Sequence, residues 1–315
     1  MVTGIDCSKD YFDITVLKEG KVTFKSRFAN NMKGFTAMLP HVLDTHVAME
    51  ATGPYYFQLA RFIHQSGEKV SVVNTLIIRR FAQMRMSRAK TDQKDAMVIA
   101  EFAKMTGPKL WEPPTVAIQA IRNLESYLEG LKQRRQMLSN QLHAFEAAGT
   151  IDELLYNEIK EEVESHDKRI KDKEHQIAEL IQQNYAEMAA NLKSIPGIGP
   201  RSTSMLIIAK DGFGMFENYK QVISYFGLAP RIYESGTSVK GKGHICKMGM
   251  GQMRKVLYMA ATSAIRCNKA CKELYERLRA KGKPYRVALI AAVNKLIKQA
   301  FAIAKSGKSY TGQLV

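Results

Sequence analysis

A long stretch of helical periodicity after residue 114 divides this chain into three parts. Its apolar residues follow a heptad seam, interrupted at Arg135, that consists of Leu124, Leu128, Leu131, Leu138, Leu142 and Phe145. Gly149 ends this seam, and a looser seam of isoleucine and valine continues to about Tyr185. Two such segments joined by a short turn predict a long antiparallel coiled-coil hairpin over residues 111–190. Its narrow apolar face favours an arm between subunits or domains over an internal bundle.

Residues 1–110 have a different hydrophobic pattern, in which short runs typical of β-strands alternate with amphipathic stretches. Val2–Ile5 predicts a strand, and Glu19-Gly20 predicts the turn of a hairpin. Further short strands are expected at 47–51 and 70–73. Hairpin strands followed by strand–helix–strand units indicate an RNase H-type mixed sheet. Three prolines near residue 110 mark a linker to the next domain.

The last part of the chain, residues 191–315, is helical and strongly basic. It holds 22 basic and 5 acidic residues, whereas the whole chain has a net charge of +17. Such a field attracts polyanions, of which nucleic acid is the commonest large one. The turn Ile195-Pro-Gly-Ile-Gly-Pro200 is typical of a helix-hairpin-helix element that contacts phosphate, and a plain helix–helix turn is the alternative.

Composition excludes several classes of protein. Hydrophobic residues make up 45% of the chain, which is inconsistent with wholesale disorder. No apolar run approaches the roughly 20 residues of a membrane span, and no secretory signal is recognised, so no membrane partner is expected. The four cysteines form no Cys-x-x-Cys pair, which indicates free thiols in a reducing cytoplasm. The expected location is therefore cytoplasmic, at the nucleoid.

Four carboxylates in the first 110 residues are the strongest candidates for chemistry. Asp6 and Glu50 lie at the ends of predicted strands, and Asp92 and Asp95 occupy the first turn of a predicted helix. The i, i+3 spacing places the last two on one face of that helix. Each acid alone could equally serve as a cap or lie in solvent. Together they predict an oxygen-rich site for Mg²⁺, with Mn²⁺ as a possible substitute.

These motifs resemble the Asp-Glu-Asp-Asp signature of the insertion-sequence one-ten family of transposases. The matching segments are Gly4-Ile5-Asp6, Glu50-Ala-Thr-Gly53, Lys90-Thr-Asp92-Gln-Lys-Asp95-Ala96, Phe226-Gly-Leu-Ala-Pro230, Tyr233-Glu-Ser235-Gly236 and Gly243-His-Ile-Cys-Lys247-Met-Gly249. The resemblance covers nearly the whole chain in order. It implies a fold class of α/β plus all-α: a RuvC-like, RNase H-like domain, a coiled-coil hairpin and a helical, basic C-terminal transposase domain.

The resemblance also implies a catalytic serine. From spacing alone, Ser235 in its Gly/Lys-rich stretch is a turn residue, because no His–Asp pair stands beside it to activate the hydroxyl. By resemblance it matches the nucleophile that attacks DNA and forms a phosphoserine link. Ser238 is the rival position, and the Gly241-Lys-Gly243 spacing leaves the alignment of the 235–249 loop open, together with the role of His244.

Clustered basic residues are candidates for nucleic-acid contact, because lysine and arginine neutralise phosphates. One cluster precedes the aspartate pair and consists of Arg79, Arg80, Arg85, Arg88 and Lys90. A second surrounds the candidate serine and consists of Arg231, Lys240, Lys242, Lys247 and Arg254, with Lys255 beside it.

The resulting hypothesis is a DNA transposase that cuts and rejoins strands to move an insertion sequence. The resemblance implies a non-coding bridge RNA that selects donor and target DNA, and a homodimer that pairs into a tetramer with a composite site. Two alternatives stay open at this point. One is a hydrolytic RuvC-like junction resolvase in which water attacks, and the other is a non-catalytic nucleic-acid-binding protein.

Overall fold

The computed structural model describes residues 1–85, 92–209, 212–231, 234–235, 239–240, 244–246 and 248–312. These residues form two compact units, Met1–Pro113 and Pro114–Val315. The second unit contains both the predicted hairpin and the predicted C-terminal domain, so the boundary expected at residue 190 stays a prediction.

The first unit is a mixed α/β structure, as the sequence predicts. Its described strands are β1 (Val2–Cys7), β2 (Tyr11–Lys18), β3 (Lys21–Ala29), β4 (His46–Glu50) and β5 (Lys69–Val73). Its described helices are α1 (Met32–Val42), α2 (Phe57–Gln65), α3 (Thr75–Met84) and α4 (Asp92–Thr106). The strands form one sheet in the order β3-β2-β1-β4-β5, in which β1 to β3 are antiparallel and β4 and β5 run parallel to β1.

Helices cover both faces of this sheet. On one face, α1 and α2 contribute buried side chains such as Phe35 and Ile63 to a core shared with Ile5 and Met49. On the other face, α3 and α4 pack against Ala48 and neighbouring strand residues. Because side chains alternate along a strand, the even-numbered residues of β1 and β4 face α3 and α4.

Helix α4 lies directly on the backbone of β1. A Cβ atom at Gly4 would stand 2.1 Å from the Ala96 carbonyl oxygen and 2.3 Å from the Ala100 nitrogen, so the contact requires glycine. Farther along the helix, the Lys104 ammonium lies beside Gly20, at the sheet end where β1 begins. The helix therefore runs antiparallel to β1, and its first turn lies at the end of the strand that carries Asp6.

The second unit is mainly helical. Its described helices are α5 (Val116–Ala148), α6 (Glu153–Lys193), α7 (Pro200–Ile208), α8 (Tyr219–Tyr225), α9 (Gly251–Cys267), α10 (Lys269–Ala280) and α11 (Tyr285–Ser306). Its described strands are short: β6 (Pro230–Arg231), β7 (Glu234–Ser235), β8 (Val239–Lys240) and β9 (His244–Ile245). The predicted helical C-terminal region is thus confirmed, whereas the sequence did not indicate the short strands.

Helices α5 and α6 form an antiparallel hairpin. Lys132 pairs with Glu174 at 2.5 Å, and Arg135, the polar residue in the predicted seam, pairs with Asp167 at 3.1 Å. Helix α6 continues past the predicted end to Lys193, but its backbone leaves helical geometry at Tyr185. Supercoiling of the pair, as in a coiled coil, stays a prediction.

Helix α11 is the centre of the second unit's core. By length and composition it could cross a membrane, although the sequence reading expected no such segment. Its apolar residues are nevertheless buried against other helices of the unit; Leu289, Val293, Leu296 and Ile297 have no exposed surface. The apolar run is explained by this burial, because a helix surrounded by others needs little polar surface.

We predict that Gly4→Ala weakens the first unit specifically. The new methyl group collides with the backbone of α4, which cannot relax as a side chain can, and about 3 kcal/mol of unfolding free energy should be lost. Fluorescence of Trp111, the single tryptophan, reports urea unfolding of this unit. Gly130→Ala in α5 is the matched control, because its nearest neighbour is the flexible end of Arg134 at 3.5 Å. An unchanged Trp111 transition in Gly4→Ala would contradict the packing argument.

Candidate active site and nucleic-acid interface

Asp6 and Glu50 lie side by side at one edge of the first unit's sheet. Ile5 pairs with Met49 in parallel register, and the two acids come next along their strands. Since Ile5 and Met49 belong to the core on the opposite face, both acids point to the face covered by α4. Both are half-buried, and the Thr52 hydroxyl donates a 3.1 Å hydrogen bond to Glu50 Oε1.

The first turn of α4 brings the other two candidate acids to the same edge. The helix begins at Asp92, and its antiparallel course over β1 places this end at Asp6. Asp95 is half-buried, whereas the side chain of Asp92 lies outside the described residues. The backbone thus places the first turn of α4 at this edge, and a shared site for all four acids stays a prediction.

The pKa of the Cys7 thiol is raised by burial and by the negative charge at this edge. Its side chain is buried, and burial, together with the negative charges of Asp6 and Glu50, raises its pKa to about 12. The thiol therefore stays protonated at neutral pH and is a packing residue rather than a nucleophile.

The chemistry of the acids suits a hard divalent cation, which prefers carboxylate oxygen ligands. Among the residues that the structure describes, no group of three or more His, Cys, Asp or Glu side chains stands close enough to hold a metal ion. The described geometry thus supplies Asp6 and Glu50 as a neighbouring pair. The described side chain of Asp95 does not complete a three-residue group with them, and the side chain of Asp92 lies outside the described residues.

A third acid, which is buried and forms an ion pair, lies beside Asp6 and Glu50 on the same face of the sheet. Asp13 on β2 stands opposite Asp6, and Arg27 on β3 stands opposite Asp13. The Arg27 guanidinium donates to both carboxylate oxygens of Asp13, at 3.2 and 2.8 Å. The Asp13 side chain is 1% exposed and that of Arg27 is 45% exposed. Arg27 therefore offsets the charge of a carboxylate that lies one strand away from Asp6. This ion pair was not predicted from the sequence.

The candidate serine lies on a β-hairpin of the second unit. At its base, Pro230 pairs with Ile245 and Arg231 pairs with His244. Farther out, Glu234 pairs with Lys240 and Ser235 pairs with Val239. The two ladders are nested, so Ser235 lies near the outer end of the hairpin and not in the loop that its glycines suggested. The side chains of Ser235 and Lys240 lie outside the described residues.

The base of this hairpin is held by two glycines and an arginine. A Cβ atom at Gly249 would stand 2.3 Å from the Tyr225 carbonyl oxygen, and one at Gly227 would stand 2.6 Å from the Met248 carbonyl oxygen. Both glycines also have positive φ angles, of 140° and 70°. Arg254 donates from Nη1 to the Phe226 carbonyl at 3.0 Å, so it fastens the base in addition to any contact with nucleic acid.

The candidate nucleic-acid residues differ in their surroundings. Arg79 and Arg80 are exposed on α3, and Arg80 donates to Gln83 of the same helix at 2.9 Å. Arg85 instead pairs with Glu101 at 3.0 Å. Arg231 is exposed on β6. The positions outside the described residues are Arg88, Lys90, Lys242 and Lys247.

The glycines of the 195–200 turn have a structural explanation. Gly197 has a φ of 99°, and a Cβ atom there would stand 2.6 Å from the Ala264 side chain. The Gly199 N–H donates to the Ser202 hydroxyl at 3.0 Å and the Ile198 N–H donates to the Ile195 carbonyl at 3.0 Å. These donors are thus engaged within the chain, and phosphate contact at this turn stays a prediction.

An ion cluster beside this turn was not apparent in the sequence. Glu129 accepts from Arg201 at 2.7 Å and from Lys255 at 3.2 Å, which joins α5, α7 and α9. Burial alone would raise the pKa of Glu129, but the hydrogen bond and charge of Lys255, together with the charge of Arg201, lower it. Lys255, expected to neutralise phosphate, therefore has an internal carboxylate partner.

We predict that Arg27→Met destabilises the first unit by about 3 kcal/mol, because it leaves the Asp13 carboxylate buried without its cation. Urea unfolding followed by Trp111 fluorescence measures the loss. The double variant Arg27→Met/Asp13→Leu is the control and should recover most of it, since the buried charge is then absent. If the double variant were no more stable than the single one, the buried charge would not be the cause.

Two family models match the chain. One for DEDD-type IS110 transposases matches residues 3–145, and one described as the transposase IS116/IS110/IS902 family matches residues 189–276. The first spans the sheet and the acidic edge, and the second ends within α10. The DEDD transposase domain is RNase H-like and implies use of a divalent metal, in agreement with the sheet order and the acids described above.

Full-length relatives lead to the same family. A pilin gene-inverting protein of Moraxella bovis is 29% identical over 98% of this chain and 96% of its own length. The transposase for insertion sequence element IS1328 of Yersinia enterocolitica is 28% identical over 82% of both chains. The transposase for IS1111A of Coxiella burnetii is 23% identical over 84% of this chain and 78% of its own. The chain therefore belongs to the IS110 family of transposases, the insertion-sequence one-ten family that its motifs resemble, and is a recombinase enzyme that acts on DNA.

Proposed function

We propose that this transposase cleaves and rejoins DNA strands through a serine nucleophile and a carboxylate-bound Mg²⁺ site. The observation that carries the proposal is the convergence of Asp6, Glu50 and the first turn of α4 at one edge of the sheet. Neighbouring carboxylates repel one another, and a divalent cation bound between them would offset their charge.

Asp6, Glu50, Asp92 and Asp95 would hold Mg²⁺, or Mn²⁺ in its place. When bound, such an ion stabilises the negative charge that develops on the oxygens of a phosphodiester during strand transfer. The fold of the chain would position the carboxylates that hold the ion. The β1–β4 register fixes two of the carboxylates, and the Gly4 contact fixes the helix end that carries the others.

Ser235 would be the nucleophile. Its Oγ loses a proton and forms a bond to phosphorus, while the bond from phosphorus to a deoxyribose oxygen breaks and that oxygen leaves as a hydroxyl. The phosphoserine link retains one ester bond for each one broken, so a second sugar hydroxyl can displace Ser235 and rejoin the strand without an added energy source. Its position near the outer end of a hairpin, away from the packed base, supports this role.

Self-association completes the proposal. A composite site, with the acids of one subunit and the serine of another, requires a dimer that pairs into a tetramer. Apolar side chains that are exposed on the α5–α6 hairpin support its role as the arm between subunits. Met137 is 69% exposed and Leu154 is 82% exposed, although both lie along helices with an apolar seam. A coiled coil between subunits would cover them.

A non-coding bridge RNA would select the donor and target DNA, and the reaction would take place in the cytoplasm at the nucleoid. Family resemblance is the basis of the RNA proposal. A basic surface suits it, since a protein that leaves sequence selection to RNA needs chiefly contacts to backbone and shape.

We predict that Asp6→Asn and Glu50→Gln each lower metal-dependent strand cleavage by at least about 100-fold, because a bound cation contributes several kcal/mol to the transition state. Asp44→Asn is the control, an exposed acid that follows α1 and makes the same change in charge. A second readout is independent of activity. Mg²⁺ should raise the Trp111 unfolding midpoint of the unaltered chain and not that of Asp6→Asn. Undiminished cleavage in both variants would show that Asp6 and Glu50 do not hold a catalytic ion.

We predict that Ser235→Ala abolishes both strand rejoining and the covalent protein–DNA adduct seen after denaturation, because no other side chain would supply the attacking oxygen. Ser238→Ala is the matched control and should retain both. Cleavage that persists without an adduct in Ser235→Ala would indicate water as the attacking group, as in a junction resolvase. Loss of the adduct only in Ser238→Ala would move the nucleophile to the rival position.

A further inference from the structure

The turn between α10 and α11 concentrates positive charge on the surface of the second unit. Five cations fall within residues 277–286, which contain no acid: Arg277, Arg279, Lys281, Lys283 and Arg286. All five side chains are exposed. This segment, which we name the basic turn, lies beyond residue 276, where the second family match ends.

The basic turn has a fixed backbone. Gly282 has a φ of 72°, and its N–H donates to the Arg279 carbonyl at 2.9 Å. The Lys283 N–H donates to the Leu278 carbonyl at 3.0 Å, which completes a Schellman end of α10. Arg279 Nη1 donates to the Lys283 carbonyl at 2.7 Å. The cations are therefore presented by an ordered turn, so little backbone ordering would oppose binding.

The core of the unit anchors both helices that flank the basic turn. Cys271 of α10 and Leu289 and Val293 of α11 have no exposed surface. Tyr275 and Tyr285 meet edge to face, with ring centroids 6.0 Å apart. This contact between side chains of α10 and α11 braces the two helices on either side of the basic turn.

Neighbouring cations of the two helices repel one another. The pKa of Lys295 is lowered, first by burial and then by the charges of Lys298 and Arg277, although Glu273 opposes the shift. A surface on which positive charges already disfavour one another gains from a polyanion that offsets several of them at once.

We propose that the basic turn binds the phosphate backbone of double-stranded DNA, as a contact separate from the serine hairpin. Five exposed cations on an ordered turn, with no acid within residues 277–286, fit the closely spaced phosphates of a duplex. The inference rests on the chain's action on DNA and does not depend on the serine chemistry. The basic turn would hold DNA through residues that are far along the chain from the reacting residues. Contacts to phosphates raise the affinity for DNA without adding a preference for particular bases.

The test measures how DNA affinity depends on salt. The full chain is titrated, in EDTA, against an end-labelled 40-base-pair duplex of mixed sequence, and binding is followed by fluorescence anisotropy from 50 to 200 mM NaCl. In Lys281→Gln/Lys283→Gln/Arg286→Gln, the slope of log K against log salt should fall in magnitude by about 2 to 3, since each phosphate contact contributes about 0.9. At about 0.1 M salt the affinity should fall at least about 10-fold.

The matched control is Lys160→Gln/Lys168→Gln/Lys171→Gln on the acidic hairpin, which removes the same charge from exposed positions and should leave the slope unchanged. If the triple variant unfolds, Lys281→Gln/Lys283→Gln should lower the slope by about 2, because the Arg279 bond is to the backbone of residue 283. An unchanged slope, or an equal loss in the control, overturns the inference. So does a larger loss for an RNA duplex of the same length. Failure of the serine mechanism would appear as a missing adduct in the unaltered chain and would not alter these slopes.

Discussion

The contact between Gly4 and the backbone of α4 is the constraint on which the candidate active site depends. A helix can approach a strand this closely only where no Cβ intervenes, and the Ala96 carbonyl occupies the place that a side chain would take. This approach sets the height of α4 over the sheet, and its antiparallel course sets which end lies over Asp6. Packing therefore brings the first turn of α4 to the sheet edge that carries Asp6 and Glu50.

The same edge shows how the chain tolerates concentrated negative charge. Asp13, Asp6 and Glu50 occupy neighbouring strands on one face, yet only Asp13 is fully enclosed, and it has the Arg27 guanidinium at 2.8 Å. Asp6 and Glu50 are half-buried, so water can solvate their charge when no cation is present. The enclosed carboxylate is thus the one that pairs with an arginine of the neighbouring strand.

Sequence reasoning predicted the features that are repeated over many residues and missed those fixed by single contacts. The mixed sheet followed from short alternating runs, whereas its strand order came from the structure. The α5–α6 hairpin followed from a seam of six apolar residues. Helix α3 was missed because two of its apolar residues, Leu76 and Ile77, are on the exposed side and blur its periodicity. The Glu129 cluster was hidden because its members are 72 and 126 residues apart. The glycines around Ser235 suggested a loop, but Gly227 and Gly249 are required by close packing at the base of a hairpin.

The division of charge between the two units fits a protein that must bind a polyanion and also place acids against it. If the acidic edge lay in the most basic region, internal ion pairs would form there, as Lys255 and Arg201 form with Glu129. The fold avoids this by holding the carboxylates in the first unit and most of the net positive charge in the second. In the proposed mechanism, Ser235 belongs to the basic unit and the metal-binding acids to the other, so the cations that would bind DNA need not share a unit with those acids.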